Sequence, residues 1–478
     1  MLRGRLIFFL SKLMPGILGL GTTALLTRWV DPTEYGVYAF GLSIIVFTVA
    51  AEFGWLNLSL VRFRPSFAEP EFLFGTLIVV FCGLCALSAV VAVVGALFAN
   101  SWHYVPFLAV CLFSTFATAW FELKQRVQLA ELQEMPYFWT NVVRGTLILV
   151  LTFAAAYTRQ DVTIMIFALG VSTLIAACLF RIKHLNILNW RFDREIGRMV
   201  FQFGVPLFAG VGVANILFSI DRWMLLLLSS TKAVGLFTAA TLVAQVPISF
   251  LAGGIGPSAN AMAVRALEFT DDETVKAQLE ENLVILLGIV LPAALGITAL
   301  SRNLAYVMVG KSFAPTVIEL APWLSVASAI WTVRAYYFDS AFHLARNTRP
   351  LVMVMSVTLA ANVALDFWLI PWKGELGAAI GSCAALSAGF VVAVIASRKV
   401  YKLPLPMKEI AKVAAGAAIM YLALQPVAGF RGAGALLLQL TIGSLVYLIA
   451  IVELDVLRSR QWLVRQFTGW LGQHETLS

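Results

Sequence analysis

Apolar residues run through this chain in long blocks, broken at intervals by short segments rich in Gly, Pro and charge. A helix needs about 20 mainly apolar residues to cross a bilayer. By that rule fourteen windows predict spanning helices: residues 6–28, 36–61, 72–99, 104–123, 137–157, 161–181, 199–228, 233–256, 282–300, 317–343, 351–371, 376–397, 408–424 and 433–453. Barrel strands would alternate apolar and polar over about ten residues, and no such alternation is present. The predicted fold class is therefore an all-α integral membrane protein.

The pattern also repeats. Residues 27–40 read TRWVDPTEYGVYAF, and residues 221–240 read DRWMLLLLSSTKAVGLFTAA. In each, an Arg-Trp pair closes one apolar block, a short polar turn follows, and a glycine with a nearby aromatic (Gly36 and Tyr38; Gly235 and Phe237) opens the next. Met14-Pro15-Gly16 and Gly204-Val205-Pro206 give a second pair of anchors. A third is FELKQRVQLAELQEMP (121–136) beside FDSAFHLARNTRP (338–350). A period of six helices is even, so the two predicted lobes share one orientation and relate by a pseudo-twofold along the membrane normal. The expected organisation is an N-lobe at 1–183, a linker at 184–197 and a C-lobe at 198–397. Two further helices follow within 398–453, then an amphipathic tail at 454–478. In that tail Leu457, Leu463, Phe467, Trp470 and Leu471 recur at roughly helical spacing among arginines, as in a helix lying on the inner membrane surface.

Charge then orients the chain. With the N-terminus inside, only Arg28, Arg159, Lys232, Arg302, Lys311, Lys373 and Arg431 fall in outer loops, and Arg144, Arg222 and Arg334 fall inside windows. The rest of the 34 Lys and Arg are inside, which predicts cytoplasmic termini. The net charge of +8 follows from that bias and calls for no nucleic-acid partner. The N-terminal Arg3 and Arg5 precede an apolar run without a cleavage site, the pattern of a retained first helix. The 60% hydrophobic and 13% charged composition, with mean hydropathy +0.87, agrees with a membrane chain. Cys82, Cys85, Cys111, Cys178 and Cys383 all sit in apolar blocks and read as packing residues. The four histidines show no ligand spacing, so no metal or cofactor is expected.

Three stretches carry a family resemblance: LLTRWVDPTEYGVYAFGLSI, FQFGVPLFAGVGVANILFSIDRWMLLLLSSTKAVGLFTAATLVAQVP and NVALDFWLIPWKGELGAAIGSCAAL. In order and spacing they resemble polysaccharide transporters of the MOP superfamily, the oligosaccharide flippases of bacterial O-antigen and exopolysaccharide assembly. The resemblance implies two six-helix bundles in a V and two extra C-terminal helices. It also implies movement of undecaprenyl-diphosphate-linked oligosaccharide from the cytoplasmic to the periplasmic leaflet of the inner membrane. The partners it implies are the lipid-linked oligosaccharide, membrane lipids and polysaccharide polymerase or export machinery.

A charge in hydrocarbon costs roughly 2.5–3.5 kcal/mol on insertion scales, so each is expected to face the bundle interior beside a partner. Arg222, Arg144 and Arg334 read either as cavity residues that attract the substrate diphosphate or as clamps paired with Asp221, Glu52 or Asp366. Asp221, Glu52 and Asp366 read either as ion-coupling carboxylates or as structural partners. Glu122 and Asp339 occupy equivalent repeat positions, which favours a structural or gating role. Arg62 and Arg64 obey the positive-inside rule and are candidates to recruit an anionic headgroup. Arg28 stands eight residues before Gly36 and Arg222 thirteen before Gly235, so Arg222 is expected about five residues, roughly 7 Å, deeper. Pro15, Pro206, Pro247, Pro257 and Pro292, with the glycines at 253–256, are expected sites of bending.

The leading reading is a flippase working by alternating access and coupled to an ion gradient; no Walker motif supports direct ATP use. Alternatives are a multidrug or peptidoglycan-precursor exporter, a non-transporting subunit of a polysaccharide synthase complex, or a membrane glycosyltransferase. The last would want a catalytic acidic motif in a sizeable outer loop, and Asp31 and Glu34 in a tight turn are poor candidates.

Overall fold

The computed structural model describes residues 2–67, 70–98, 105–158, 161–180, 192–253, 272–345, 347 and 349–460. The helices are α1 (Leu2–Trp29), α2 (Pro32–Thr48), α3 (Gly54–Phe63), α4 (Glu71–Phe98), α5 (Val105–Ala130), α6 (Glu134–Thr158), α7 (Val162–Cys178) and α8 (Arg194–Leu228). They continue as α9 (Thr231–Ala244), α10 (Val246–Gly253), α11 (Asp272–Met308), α12 (Ala314–Val333), α13 (Ser340–Leu344), α14 (Arg349–Val400), α15 (Met407–Leu424) and α16 (Ala433–Glu453). The described parts of the fourteen apolar windows are almost entirely helical. Ten stretches are long and apolar enough to cross a membrane among the described residues. The chain is an all-α, multi-pass membrane protein.

Local chemistry sets several boundaries. Asp31 caps α2, its carboxylate accepting from the Thr33 and Glu34 amides at 2.6 and 3.3 Å, with Pro32 in the first helical position. Asp161 and Asp193 cap α7 and α8 in the same way. Lys124 reaches from α5 to the carbonyls of Ala177 and Phe180, answering the open C-terminal end of α7. α11 begins ten residues before the ninth window, at Asp272, because Val275, Leu279 and Leu283 form a buried i, i+4, i+8 stripe. The two windows at 351–371 and 376–397 form a hairpin within α14. Gly374 has φ 54°, and a Cβ on Gly377 would lie 2.3 Å from the Leu369 carbonyl, as only a chain folded back allows.

Prolines are not the helices' only irregularities among the described residues. Pro15 and Pro292 lie inside α1 and α11, and Pro247 lies where α10 restarts after α9. The additional interruptions are two π-helical turns, Val49–Phe53 between α2 and α3 and Arg334–Phe338 between α12 and α13. The linker residues 184–191, the glycine-rich stretch at 254–257, the candidate caps Thr270 and Asp271, and tail residues 461–471 lie outside the described residues.

Two compact units emerge. The first comprises Met1–Ala239 with Asn362–Ala378, the second Ala240–Ala361 with Ala379–Ser478. In the first, α1 packs on α6, α5 and α6 on α7, and α3 on α5 and α8. In the second, α11 packs on α12 and α15, and α15 on α16. Leu87, Val90, Val91 and Val93 on α4 and Leu445, Leu448 and Ile449 on α16 are exposed, as lipid-facing residues must be. Trp29 meets Tyr157 edge-on at 5.0 Å, and Trp368 lies 5.9 Å from Trp372, aromatic clusters at helix ends of the kind that mark membrane interfaces.

One polar clasp ties α16 to α11. The Asn303 amide donates to Gln439 Oε1 at 2.7 Å and accepts from the Gly432 amide at 2.9 Å, while Gln439 donates to the Val427 carbonyl at 2.6 Å. Both side chains are fully buried. Gln439→Leu removes the main acceptor of the buried Asn303 amide and one of the two donors to the Val427 carbonyl, at a cost of about 1–3 kcal/mol. The expected result is a lower thermal midpoint in detergent for Gln439→Leu than for the exposed control Leu438→Ala; equal midpoints would show that the clasp contributes nothing.

Candidate functional site

Each of the three intramembrane arginines has an acid acting on it, and among the described residues Arg334 also forms an ion pair. Arg144 on α6 donates from Nε to Thr173 Oγ1 at 3.3 Å and lies 4.6 Å from the Phe121 ring centroid. The acid acting on it is Glu122, next along α5, which accepts from Asn57 at 3.5 Å. Glu52 instead accepts a hydrogen bond from Ser88 on α4. The matching of Glu52 with Arg144 fails because the π turn at Val49–Phe53 aims Glu52 elsewhere.

Arg334 is 1% exposed. Its guanidinium stacks on Trp331 at 4.2 Å, contacts Met355 Sδ at 3.0 Å, and pairs through Nε with Asp339 Oδ2 at 3.7 Å. Arginine and acid flank one π turn, so a single local deformation brings them together. Glu122 and Asp339, the two repeat-related acids, thus each answer an arginine in their own unit. Arg64 pairs with Glu131 at 3.2 Å and donates to the Phe67 carbonyl, whereas Arg62 is exposed.

Arg222 differs. Its Nε donates to Thr238 at 3.2 Å and its Nη1 to the Phe218 carbonyl at 3.0 Å. Asp221 and Tyr35 act on it electrostatically, but it forms no ion pair with a described carboxylate. Arg28 is the penultimate residue of α1, while Arg222 lies six residues before the end of α8, consistent with the greater depth inferred from the repeat.

Beside it lies an oxygen-rich cluster. Asn362 and Asp366 are one helical turn apart on α14 and both buried. Asn362 donates to Asp221 Oδ1 at 2.8 Å. Asp366 is within hydrogen-bonding reach of the Asp221 carboxyl. Two carboxylates are both acceptors, so they bond only with a proton between them. Without that proton, both Asp366 oxygens and Asn362 Oδ1 have no donor among the described residues. A set of oxygens lacking donors is suited to a proton or a hard cation. With two carboxylates it is smaller than a multi-acid metal centre, and no group of three or more His, Cys, Asp or Glu able to hold a metal occurs among the described residues. The sequence marked Asp221 and Asp366 but passed over Asn362, although its i, i+4 spacing to Asp366 in an apolar helix was legible.

The site is thus a buried group of acceptors without described donors beside an intramembrane arginine, within a multi-helix membrane bundle. The chain belongs to the polysaccharide biosynthesis protein family, which matches residues 1–257. Among solved structures, it is similar to the lipid II flippase MurJ in an inward closed conformation, with TM-score 0.74 and 14% identity over 95% of this chain and 99% of that one. It is also similar to an inward-facing multidrug resistance MATE family transporter of the MOP superfamily, with TM-score 0.65 and 14% identity over 85% and 99% of the two chains. A MATE structure in the straight conformation gives TM-score 0.54 and 13% identity over 87% and 96%. No curated protein matches by sequence.

The Arg334–Asp339 pair has a testable signature. Arg334→Ala leaves a buried acid without its partner and is expected to cost about 3–5 kcal/mol, while the neutral double variant Arg334→Met/Asp339→Asn regains most of that loss. Unfolding in detergent checks it; additive losses would contradict the pairing.

Proposed function

We propose that this chain flips an undecaprenyl-diphosphate-linked oligosaccharide from the cytoplasmic to the periplasmic leaflet for O-antigen or exopolysaccharide assembly, coupled to an ion gradient. The family and the fold shared with a lipid II flippase support a lipid-linked cargo. The observation that carries the coupling is the buried Asp366, whose oxygens lack donors beside Asp221 and Asn362. Arg222, hydrogen-bonded to neutral groups and next to the Asp221, Asn362 and Asp366 cluster, is our candidate for meeting the diphosphate. Exposed Arg62 and paired Arg64 sit on the predicted cytoplasmic side, where they would recruit the anionic headgroup. Glu52, held by Ser88, is a second candidate coupling carboxylate.

In this reading, two lobes at 1–183 and 198–397 exchange access, the pair within 398–453 accompanies them, and both termini are cytoplasmic. Polysaccharide polymerase or export machinery would receive the product. The likeness to a multidrug transporter favours drug export as the second reading. Arg222 weighs against a cationic drug, since it would repel such a cargo.

Proteoliposomes holding a fluorescent lipid-diphosphate oligosaccharide test the proposal. Exchange between leaflets is expected to exceed that of empty vesicles and to accelerate under an imposed proton or sodium gradient. Asp366→Asn is expected to keep downhill exchange and lose the acceleration. No exchange in any gradient would overturn the flippase reading, and an Asp366→Asn response equal to wild type would overturn the coupling assignment.

A further inference from the structure

Gly36 and Gly235 each stand at the fifth position of a helix, α2 beginning at Pro32 and α9 at Thr231. The two helices cross there. A Cβ on Gly36 would lie 1.8 Å from the Thr231 carbonyl oxygen and 3.1 Å from the Gly235 nitrogen. A Cβ on Gly235 would lie 2.2 Å from the Pro32 carbonyl oxygen and 2.8 Å from the Gly36 nitrogen. Each glycine therefore rests on the first carbonyl of the other helix, a reciprocal contact in which the two copies of the sequence repeat meet. The obstructing atoms are backbone, so no side chain can swing aside to admit a methyl group. Such a contact is held by shape and weak Cα–H···O attraction, with no ion pair to break.

The same rod is also engaged at its other end. Ser59 on α3 donates to the Val200 carbonyl of α8 at 3.0 Å, and a Cβ on Gly204 would lie 2.8 Å from the Trp55 carbonyl. Trp55 and Phe63 meet Phe201 and Phe203 edge-on at 5.9 and 5.2 Å. Between the two contacts lies the π turn Val49–Phe53, where the hydrogen-bond ladder is out of step and a helix bends readily.

Building on the transporter reading, we propose that the Gly36–Gly235 crossing is a shape-only seal, closed in this structure and opened in the transport cycle as α2 pivots at the π turn. On the predicted topology the seal faces the outside. Helix propensity favours alanine over glycine. Gly→Ala therefore strengthens either helix alone while forbidding the crossing at its present distance.

The test uses the full-length protein in spheroplasts with Ser43→Cys as reporter. Ser43 lies seven residues beyond Gly36 on the same stripe of α2 and is buried. A membrane-impermeant maleimide is added outside, and modification at that position is read by peptide mass spectrometry. Labelling is expected to be slow in the otherwise native chain and at least about tenfold faster with Gly36→Ala or Gly235→Ala. Gly83→Ala, whose Cβ would meet nothing within 4 Å, is expected to change nothing. A folded glycine variant that labels at the native rate overturns the seal. Loss of fold in both variants also overturns it, because a contact that opens in the working cycle must tolerate separation. Failure of the transporter reading is distinguishable: it shows as absent lipid exchange in the wild type with the labelling contrast intact.

Discussion

The cost of carrying charge into hydrocarbon organises this molecule. A guanidinium or carboxylate there has no water to answer it, so the bundle must supply a partner or the group must have a use that outweighs its cost. Arg144 and Arg334 are answered within their own units, by Glu122 and Asp339. Among the described residues Asp366 and Asn362 retain acceptors with no donor, and Arg222 is hydrogen-bonded to neutral groups beside Asp221. Under the proposed function, the intramembrane charges divide into those that stabilise the fold and those that meet the cargo or the coupling ion.

The same constraint explains where the helices bend. A π turn shifts side chains by a fraction of a turn without abandoning helical hydrogen bonding, which matters where no water can satisfy a broken backbone. The turn at Arg334–Phe338 brings Arg334 against Asp339, and the turn at Val49–Phe53 directs Glu52 to Ser88. The second also lies between the two contacts that α2 and α3 make with α9 and α8. One deformation therefore places a charge and supplies a pivot. The contacts at either end are of different kinds, a glycine crossing at one and a hydroxyl with aromatic pairs at the other.

Much of this was legible in the sequence because bilayer thickness fixes helix length, so apolar windows read from the sequence mark an all-α, multi-pass chain with ten long apolar spans among the described residues. The turn at Asp31 was legible too, since a capping acid followed by proline is local chemistry. Partner choice was not. Glu52 was one of three open partners for the arginines, and choosing among them along a straight helix assumes an unbroken 3.6-residue period, which the π turn at Val49–Phe53 breaks. Glu122 was noticed as a repeat partner of Asp339 but not as the acid for Arg144, because that pairing depends on how α5 and α6 face each other. The repeat marked Gly36 and Gly235 as equivalent; nothing in one dimension says that equivalent residues touch.

The division of charges is tested most directly by comparing leaflet exchange of a lipid-diphosphate oligosaccharide in two variants of matched stability. One is Arg222→Gln; the other is the neutral pair Glu122→Gln/Arg144→Gln. The account expects Arg222→Gln to lose at least about tenfold in rate, as removal of a charge-assisted contact to phosphate should, while the neutral pair stays within a few-fold of wild type. Wild-type exchange by Arg222→Gln, with exchange abolished in the neutral pair, would contradict it.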